Sequence, residues 1–214
     1  MAIGIGRLLG FEMCKNFQDP YCASSISEFW RRWHISLSQW FRDYVYIPLG
    51  GNRCTRSKHV FNLLVVWLLT GIWHGADWSF VVWGIGYFLL LCAEKYIPFV
   101  SRIGKKKLGH LYTLFFVNIL WVFFRADDLS AAIKYLSGMF DSTGVLLPEA
   151  KAIRFIPYLL LALLCCIPWK RMTSSVQQSR TVRVFRGLSI MFIGFLAVCA
   201  VINTTYMPYI YGSF

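Results

Sequence analysis

The chain has 214 residues, of which 57% are hydrophobic and 15% are charged, and its formal net charge is +12 at pH 7. Soluble globular domains carry about 25% charged residues, so this composition argues against an ordinary soluble protein. The basic balance taken alone is compatible with nucleic-acid binding. The order of charged and apolar residues along the chain is therefore needed to distinguish a membrane protein from a basic binding protein.

The first predicted element is a loop in which Asp19-Pro20 favours a turn. Ser25 and Glu28 then have the spacing of a capping box, which indicates the start of a helix. We expect one amphipathic helix from this point to a break and turn near Pro48. Such a helix suits the surface of a membrane. Six residues at helical spacing form its apolar face: Ile26, Phe29, Trp33, Leu37, Trp40 and Tyr44.

Five apolar stretches follow, each shorter than the about 20 residues of a full membrane span. They are Phe61–Trp73, Ser79–Ala93, Leu111–Phe124, Phe155–Trp169 and Leu188–Ile202. One such stretch alone would suit a buried helix. Five of them, flanked by residues that suit the membrane interface, favour a multi-pass membrane protein. We also expect a basic loop over residues 101–109 and a short amphipathic surface helix over residues 129–140.

Lysines and arginines are concentrated in alternate loops. Thirteen of them lie in residues 53–58, 95–107 and 170–186, whereas four lie in residues 75–78 and 125–154. The positive-inside rule makes the richer loops cytoplasmic, which accounts for the basic balance without nucleic acid. The carboxyl terminus then lies outside. This topology requires that the first two apolar stretches both cross the membrane, because a re-entrant pair would invalidate it.

The seven cysteines form no recognisable framework. The sequence has no C-x-x-C pair, and several cysteines lie inside apolar stretches, so neither a disulfide framework nor a zinc site is indicated. The H-E-x-x-H, G-x-S-x-G and phosphate-binding Gly-Lys-Ser/Thr motifs are also absent. We expect no metal site.

His74 stands out because an ionisable side chain at membrane depth is costly and is by default a candidate functional group. It lies between Gly71 and Gly75, which permit the close approach of backbone or substrate. Trp73 and Trp78 are placed to line an apolar tunnel. A neutral imidazole accepts a proton near pH 7 and suits a general base. A core histidine hydrogen-bonded across helices fits the same pattern.

The other histidines are weaker candidates. His34 lies at the edge of the aromatic face of the amphipathic helix, where either a structural or a functional role is consistent with its position. His59 and His110 lie in basic loops, and we expect them to be solvated.

Two acidic residues lie near the histidines in sequence. Asp77 would orient the His74 ring if a helical turn continued through it, whereas Asp43 suits a pair with an arginine. Glu28 and Arg32 have the i, i+4 spacing of an ion pair on a helix.

Three segments carry a family resemblance: FWRRWHISLSQWFRDYVYIPLGGNR, TGIWHGADWSFVVWG and ILWVFFRADDLSAAIKYLSGMF. In this order they resemble the membrane-bound O-acyltransferase family, most closely its alginate O-acetyltransferase branch, over Ile3 to Tyr211. The resemblance implies an all-α, polytopic membrane protein, a helical bundle around a central tunnel with amphipathic interfacial helices. The near-invariant histidine of the family falls on His74, as the catalytic residue. Its second motif histidine falls on His34, which the resemblance implies is a supporting or second essential catalytic group.

Six further residues are expected to line the substrate tunnel or to orient groups in it: Trp73, Gly75, Asp77, Trp78, Arg32 and Asp43. Members of the family are usually longer, with further spans before this region. Residues 1–214 are therefore expected to be the carboxyl-terminal part of a single membrane domain, with part of the tunnel wall missing.

The resemblance implies an O-acyltransferase of the cell inner membrane that serves O-acetylation of an alginate-like extracytoplasmic polysaccharide. It would move an acyl group, acetyl being favoured, from a cytoplasmic thioester, acetyl-CoA or an acyl carrier, to a hydroxyl acceptor. The thioester is a substrate, and no bound cofactor is expected. Expected partners are membrane lipids and an extracytoplasmic acetyltransferase or the polysaccharide, and no nucleic acid. Alternatives are D-alanyl or peptidoglycan acyl transfer, a non-catalytic scaffold or channel, an inactive fragment, and a soluble basic binding module.

Overall fold

The computed structural model describes residues 2–103, 108–140, 153, 156–157, 159–160 and 180–203. Every regular element in these ranges is helical, in agreement with the expected all-α fold. The α-helices are α1 (Ala2–Leu8), α2 (Ile26–Arg32), α3 (Ile35–Phe41), α4 (Arg56–His74), α5 (Trp78–Tyr96), α6 (Pro98–Ile103), α7 (Leu108–Arg125), α8 (Leu129–Phe140) and α9 (Arg180–Asn203). The chain divides into two compact units, residues 1–167 and 168–214, and α9 belongs to the second.

Helices α4 and α5 form an antiparallel hairpin joined by residues 75–77. The Thr55 side chain accepts a hydrogen bond from the Lys58 amide at the start of α4 (3.5 Å). The Asp77 carboxylate accepts one from the Ser79 amide at the start of α5 (2.7 Å). These caps satisfy amides that have no partner within a first helical turn, and so they determine where each helix begins.

Two glycines allow α4 and α5 to approach closely. A Cβ atom on Gly71 would lie 2.5 Å from the carbonyl oxygen of Phe80, and one on Gly84 would clash with the carbonyl oxygen of Trp67. Small residues at a crossing let membrane helices pack backbone against backbone. This packing sets the position of His74, the last residue of α4.

The core of the first unit is largely aromatic and lies where α2, α4, α5 and α7 meet. Its buried residues are Ala23, Ile26, Phe29, Trp30, Trp67, Trp83, Tyr87, Val117 and Leu120. Trp30 packs edge-on against Trp67 (4.7 Å between ring centroids) and Tyr87 (4.9 Å). Each such pair contributes about 0.5–1.5 kcal/mol beyond the burial of its area, so these contacts hold α2 against the hairpin.

Within the described residues, α5 and α7 are the two helices long and apolar enough to cross a membrane. Helix α4 has 19 residues, but Arg56 and Lys58 make its first turn polar. The fourth expected stretch, Phe155–Trp169, lies largely outside the described residues. The fifth falls in α9, whose apolar part, Gly187–Leu196, is shorter than a span.

The prediction of a single amphipathic helix before Pro48 is wrong at the centre of that segment. Helix α2 ends at Arg32, Trp33 is extended (φ −108°, ψ 130°), and His34 is left-handed (φ 46°, ψ 53°) before α3 begins. The predicted apolar face does not continue past this break, and Trp40 and Tyr44 are 52% and 69% exposed. Periodicity could not reveal the break, because hydrogen bonds from another part of the chain support it.

Both ends of this region are as predicted. The Glu28 amide donates to the Ser25 hydroxyl (3.0 Å), which confirms the helix start, although the Glu28 carboxylate accepts from Ser24 rather than from Ser25. Residues 42–46 continue α3 as one π-helical turn. The turn near Pro48 follows, with left-handed backbone at Gly50 and Gly51 (φ 108° and 55°).

The two elements expected after α5 have different outcomes. The surface helix over residues 129–140 is confirmed as α8, and its Ile133 and Met139 are exposed. The loop over residues 101–109 is partly wrong, because α6 continues to Ile103 and α7 already begins at Leu108. A helix as short as α6 has too few turns to produce a periodic signal.

Candidate active site

His74 lies in an aromatic cage at the end of α4. Its ring centroid is 4.8 Å from that of Trp73, 5.1 Å from Trp83 and 5.0 Å from Phe124, and all three contacts are edge-to-face. Its Nδ1 atom is buried and has no hydrogen-bond partner in the described part of the chain. Buried polar atoms usually have a partner, so this unpartnered nitrogen marks His74 as a candidate functional group.

Gly75 packs against the ring of Phe80, beside the cage. Helix α4 ends at His74, and the Gly75 amide bonds back to the carbonyl oxygen of Ile72 (3.2 Å). A Cβ atom on Gly75 would clash with the ring of Phe80, which in turn contacts Phe124 (5.2 Å). The residue after the histidine must therefore be small for the aromatic wall to form.

His34 has a strained backbone and a partly buried ring. Its positive φ costs about 1–3 kcal/mol in a residue that carries a side chain. The ring contacts Phe17 (6.3 Å) and Trp73 (6.0 Å), and its buried Nδ1 atom has no hydrogen-bond partner among the described residues. Burial lowers the pKa of His34, so the ring is neutral near pH 7.

Trp73 connects the two histidines, which lie far apart in sequence. Its indole ring contacts both His34 and His74 and is 53% exposed. Two imidazoles that border one accessible indole can divide the tasks of orienting a hydroxyl and accepting its proton. The structure thus brings together the two histidines that the sequence selects, and their chemical roles stay a prediction.

An upstream loop supports the backbone at His34. The Gln18 amide donates to the Arg32 carbonyl (2.9 Å) just before the break, and the Ile35 amide donates to the Asn16 carbonyl (3.0 Å) just after it. These bonds replace those that a continuous helix would make. Sequence analysis predicted a loop over residues 17–25 but not these hydrogen bonds, because long-range backbone bonds leave no periodic pattern.

Glu94 of α5 holds the other end of α2. Its carboxylate accepts hydrogen bonds from the Ile26 amide (2.5 Å), the Ser27 amide (2.9 Å) and the Ser27 hydroxyl (2.6 Å). Helix α2 is therefore bonded at both ends, which determines where His34 lies. Glu94 was not predicted as a site residue; an acidic residue at the end of an apolar stretch was the signal that could have found it.

Asp77 does not orient His74. The helix ends at His74, so no helical turn continues through Asp77, and its carboxylate caps α5 through Ser79 instead. Gly75 directly follows His74, and the tunnel role expected for Gly75 stays a prediction. Trp78 is 71% exposed and has no ring contact with either histidine among the described residues, so the tunnel role expected for it is not supported.

Arg32 and Asp43 have structural partners. The Arg32 guanidinium pairs with Glu28, as their spacing predicts, and donates to the Asp19 carbonyl (3.2 Å). Asp43 accepts from Arg42 Nε (2.8 Å), which confirms the expected arginine pair. None of these bonds involves a histidine, so the tunnel role predicted for Arg32 and Asp43 is not supported.

His59 is buried, contrary to the expectation that it is solvated. It is 4% exposed; its Nε2 lies 2.7 Å from Tyr46 Oη and 3.4 Å from Lys95 Nζ, and its Nδ1 lies 2.7 Å from Tyr96 Oη. Both ring nitrogens are engaged, so His59 ties the π-helical turn to α4 and α5. His110 is exposed, as expected, but it lies in α7 rather than in a loop, and its Nδ1 lies 3.2 Å from the Ala23 carbonyl oxygen.

A groove of about 580 Å³ runs beside α4, between this helix and α2, α3 and the π-helical turn. The residues of α4 that line it are Leu63, Val66, Trp67 and Thr70. Trp30 also lines the groove and contacts Trp83 (5.8 Å), which contacts His74. Two exposed cations, Arg31 and Arg42, line its walls. Among the described residues, no three His, Cys, Asp or Glu side chains converge on a possible metal position.

Comparison with known proteins identifies the family. Residues 2–130, which include both candidate histidines, match the model of the membrane-bound O-acyltransferase family. The chain is 44% identical to a peptidoglycan O-acetyltransferase of Helicobacter pylori over 149 residues, which cover 68% of this chain and 28% of that protein.

Two further relatives are a probable alginate O-acetylase and a teichoic acid D-alanyltransferase. The chain is 44% identical to a probable alginate O-acetylase of Azotobacter vinelandii over 143 residues, 66% of this chain and 28% of that protein. It is 33% identical to a teichoic acid D-alanyltransferase of Bacillus subtilis over 98 residues, 42% of this chain and 25% of that protein. The chain thus spans less than a third of the length of these relatives. It belongs to the membrane-bound O-acyltransferase family.

Proposed function

We propose that the chain forms the histidine-bearing part of a multi-pass O-acyltransferase of the inner membrane. This enzyme transfers an acetyl group from a cytoplasmic thioester to a hydroxyl acceptor, for O-acetylation of an alginate-like extracytoplasmic polysaccharide. The observation that carries the proposal is the contact of Trp73 with both His34 and His74, each of which has a buried, unpartnered Nδ1 in the described part of the chain. Family membership supports acyl transfer, and the alginate O-acetylase relative supports the acceptor class.

In the proposed reaction, His74 accepts the proton of the acceptor hydroxyl while the hydroxyl oxygen attacks the acyl carbonyl carbon. The carbon–sulfur bond of the thioester breaks, an ester forms, and the thiolate takes up the proton and leaves as a thiol. His34, with its imidazole neutral, orients the hydroxyl. Trp83 and Phe124 keep water away from the thioester.

The groove beside α4 is the proposed path of the acyl donor. From Leu63 to Thr70 it follows α4 for about 10 Å. Neither histidine lines the groove, and Thr70, one helical turn before His74, is the lining residue of α4 nearest the site. Arg31 suits an anionic donor such as acetyl-CoA or the phosphate-bearing arm of an acyl carrier, whereas Arg42 also lines the groove but pairs with Asp43. The end of α4 nearest Leu63 adjoins the basic loop that the charge pattern makes cytoplasmic. The donor is a substrate, and the proposal includes no bound cofactor.

The proposal includes the architecture: a polytopic helical bundle around a tunnel, with α2 and α3 at the membrane interface. Helices α5 and α7, which are long and apolar enough to cross a membrane, are the observation in favour of a membrane-spanning bundle. Residues 1–214 would then be one part of a single membrane domain. Its partners are membrane lipids and, outside the cytoplasm, an acetyltransferase or the polysaccharide itself.

Peptidoglycan is a second candidate acceptor. The Helicobacter pylori relative is as similar to this chain as the alginate O-acetylase is, at 44% identity. Transfer of D-alanine has weaker support, because that relative is 33% identical over a shorter region.

The experiment that tests the function measures O-acetyl groups on secreted polysaccharide and on peptidoglycan. A strain that lacks its own membrane O-acetyltransferase receives the chain as wild type or as His74→Ala, at equal membrane abundance. His59→Gln serves as the matched control, because this histidine is buried but has both nitrogens engaged within the protein.

We expect wild type and His59→Gln to restore O-acetylation and His74→Ala to fail. Restoration by His74→Ala would make that histidine structural and contradict the proposal. Failure of the wild type, repeated when the amino-terminal spans of a relative are co-expressed, would also contradict it.

A further inference from the structure

Asn16 lies outside the conspicuous motifs, yet its contacts converge on the break at His34. The Asn16 carbonyl accepts the Ile35 amide (3.0 Å). Its side-chain Oδ1 accepts both the Ser36 amide (2.9 Å) and the Ser36 hydroxyl (2.6 Å). The Ile35 and Ser36 amides lie in the first turn of α3, where a helix cannot supply acceptors for its own amides.

The residue in the N-cap position of α3 is His34, and its side chain makes no capping bond. Asn16 performs that task from another part of the chain, which leaves the His34 ring free to contact Phe17 and Trp73. A residue that capped α3 in the usual way would turn its own side chain back onto the helix. Because Asn16 supplies the capping oxygen, His34 can occupy the N-cap position and still present its imidazole to a substrate.

We propose that Asn16 is a positioning residue for the acyl-transfer site: its side-chain oxygen caps α3 in place of His34 and holds the His34 ring beside Trp73. The proposal rests on the proposed function for its catalytic consequence. Its geometric consequence, the placement of the His34 ring, can be measured without turnover.

The test compares Asn16→Ala, which removes the acceptor, with Asn16→Asp, which keeps an oxygen at the Oδ1 position. The control is Asp128→Ala, which removes the same kind of cap from α8, where Asp128 accepts from the Ala131 amide. The first readout is the modification rate of His34 by diethyl pyrocarbonate in membranes, followed by peptide mass spectrometry. The second is kcat and KM for acetyl transfer, measured in the complete enzyme.

For Asn16→Ala we expect faster modification of His34 and a kcat lowered about ten- to a hundredfold with KM nearly unchanged, because small displacements of a reacting group have effects of this size. Asn16→Asp should match wild type in modification rate and kcat, and so should Asp128→Ala. An Asn16→Ala protein with wild-type His34 reactivity would overturn the proposal, and so would Asp128→Ala with the same loss or Asn16→Asp without rescue. If no variant transfers acetyl groups, wild type included, the modification rates still decide the role of Asn16 while the proposed function fails.

Discussion

His34 carries its ring on a left-handed backbone, and that conformation is stabilised by residues distant in sequence. Asparagine tolerates this conformation better than alanine does. His34→Asn should therefore unfold at a higher temperature than His34→Ala, while both lose acyl transfer. Thermal unfolding in one detergent, followed by tryptophan fluorescence, checks the order. The opposite order would mean that the positive φ at this residue has no energetic cost.

The buried ring of His34 also has a pH signature. Because burial lowers the pKa of His34, its ring is mostly neutral at pH 6.5, where an ordinary histidine is half protonated. As the pH falls from 8, the midpoint of the decline in acetyl transfer should therefore lie below pH 6.5. The rate is measured in membranes, with spontaneous thioester hydrolysis subtracted at each pH. A midpoint above pH 6.5 would contradict a lowered pKa for His34.

The two histidines were predictable from the sequence, but their arrangement was not. His74 is an isolated ionisable residue beside glycines and tryptophans, and a family motif contains His34. The expected Asp77 partner was wrong, because it assumed a helical turn that ends three residues earlier. Asn16 and Glu94 act through contacts between distant parts of the chain, and no local pattern reveals such contacts.

At the scale of elements, α2 is a helix of seven residues that could not persist alone. Bonds from Glu94 at its start and from the upstream loop at its end, together with the packing of Trp30, hold it in place. The sequence predicted where this helix starts, through Ser25, because capping is local. It did not predict where the helix ends, because that end depends on tertiary bonds.

The α4–α5 hairpin depends on glycines. Gly71→Ala should lower the free energy of unfolding by about 1–3 kcal/mol, because its Cβ atom would meet the backbone of Phe80, which cannot move aside. Gly138→Ala in α8 is the control, since nothing lies within 4 Å of its added Cβ atom. Chemical denaturation of both variants in the same detergent gives the comparison. Equal stabilities would show that α4 and α5 do not pack this closely.

For the whole molecule, the charge pattern predicts which side of the membrane each loop faces. The start of α4 and the connection between α4 and α5 should face opposite sides, with Ser57 cytoplasmic and Ala76 extracytoplasmic. Cysteines at these positions, in a chain whose native cysteines are replaced by serine, can be labelled with a membrane-impermeant maleimide in intact spheroplasts. We expect Ala76→Cys to react at once and Ser57→Cys only after lysis. Labelling of both from one side would identify a re-entrant pair and reverse the assignment of the loops that follow.

The central claim is that His34 and His74 act as one catalytic unit, and a double-mutant comparison tests it most directly. Acetyl transfer from a labelled thioester to the acceptor is measured for wild type, His34→Ala, His74→Ala and the double variant in the same bilayers. We predict that His74→Ala lowers kcat by about 10²- to 10⁴-fold and that the double variant is no slower, because residues that act as a unit are not additive. A wild-type rate for His74→Ala, or losses that multiply in the double variant, would contradict the account.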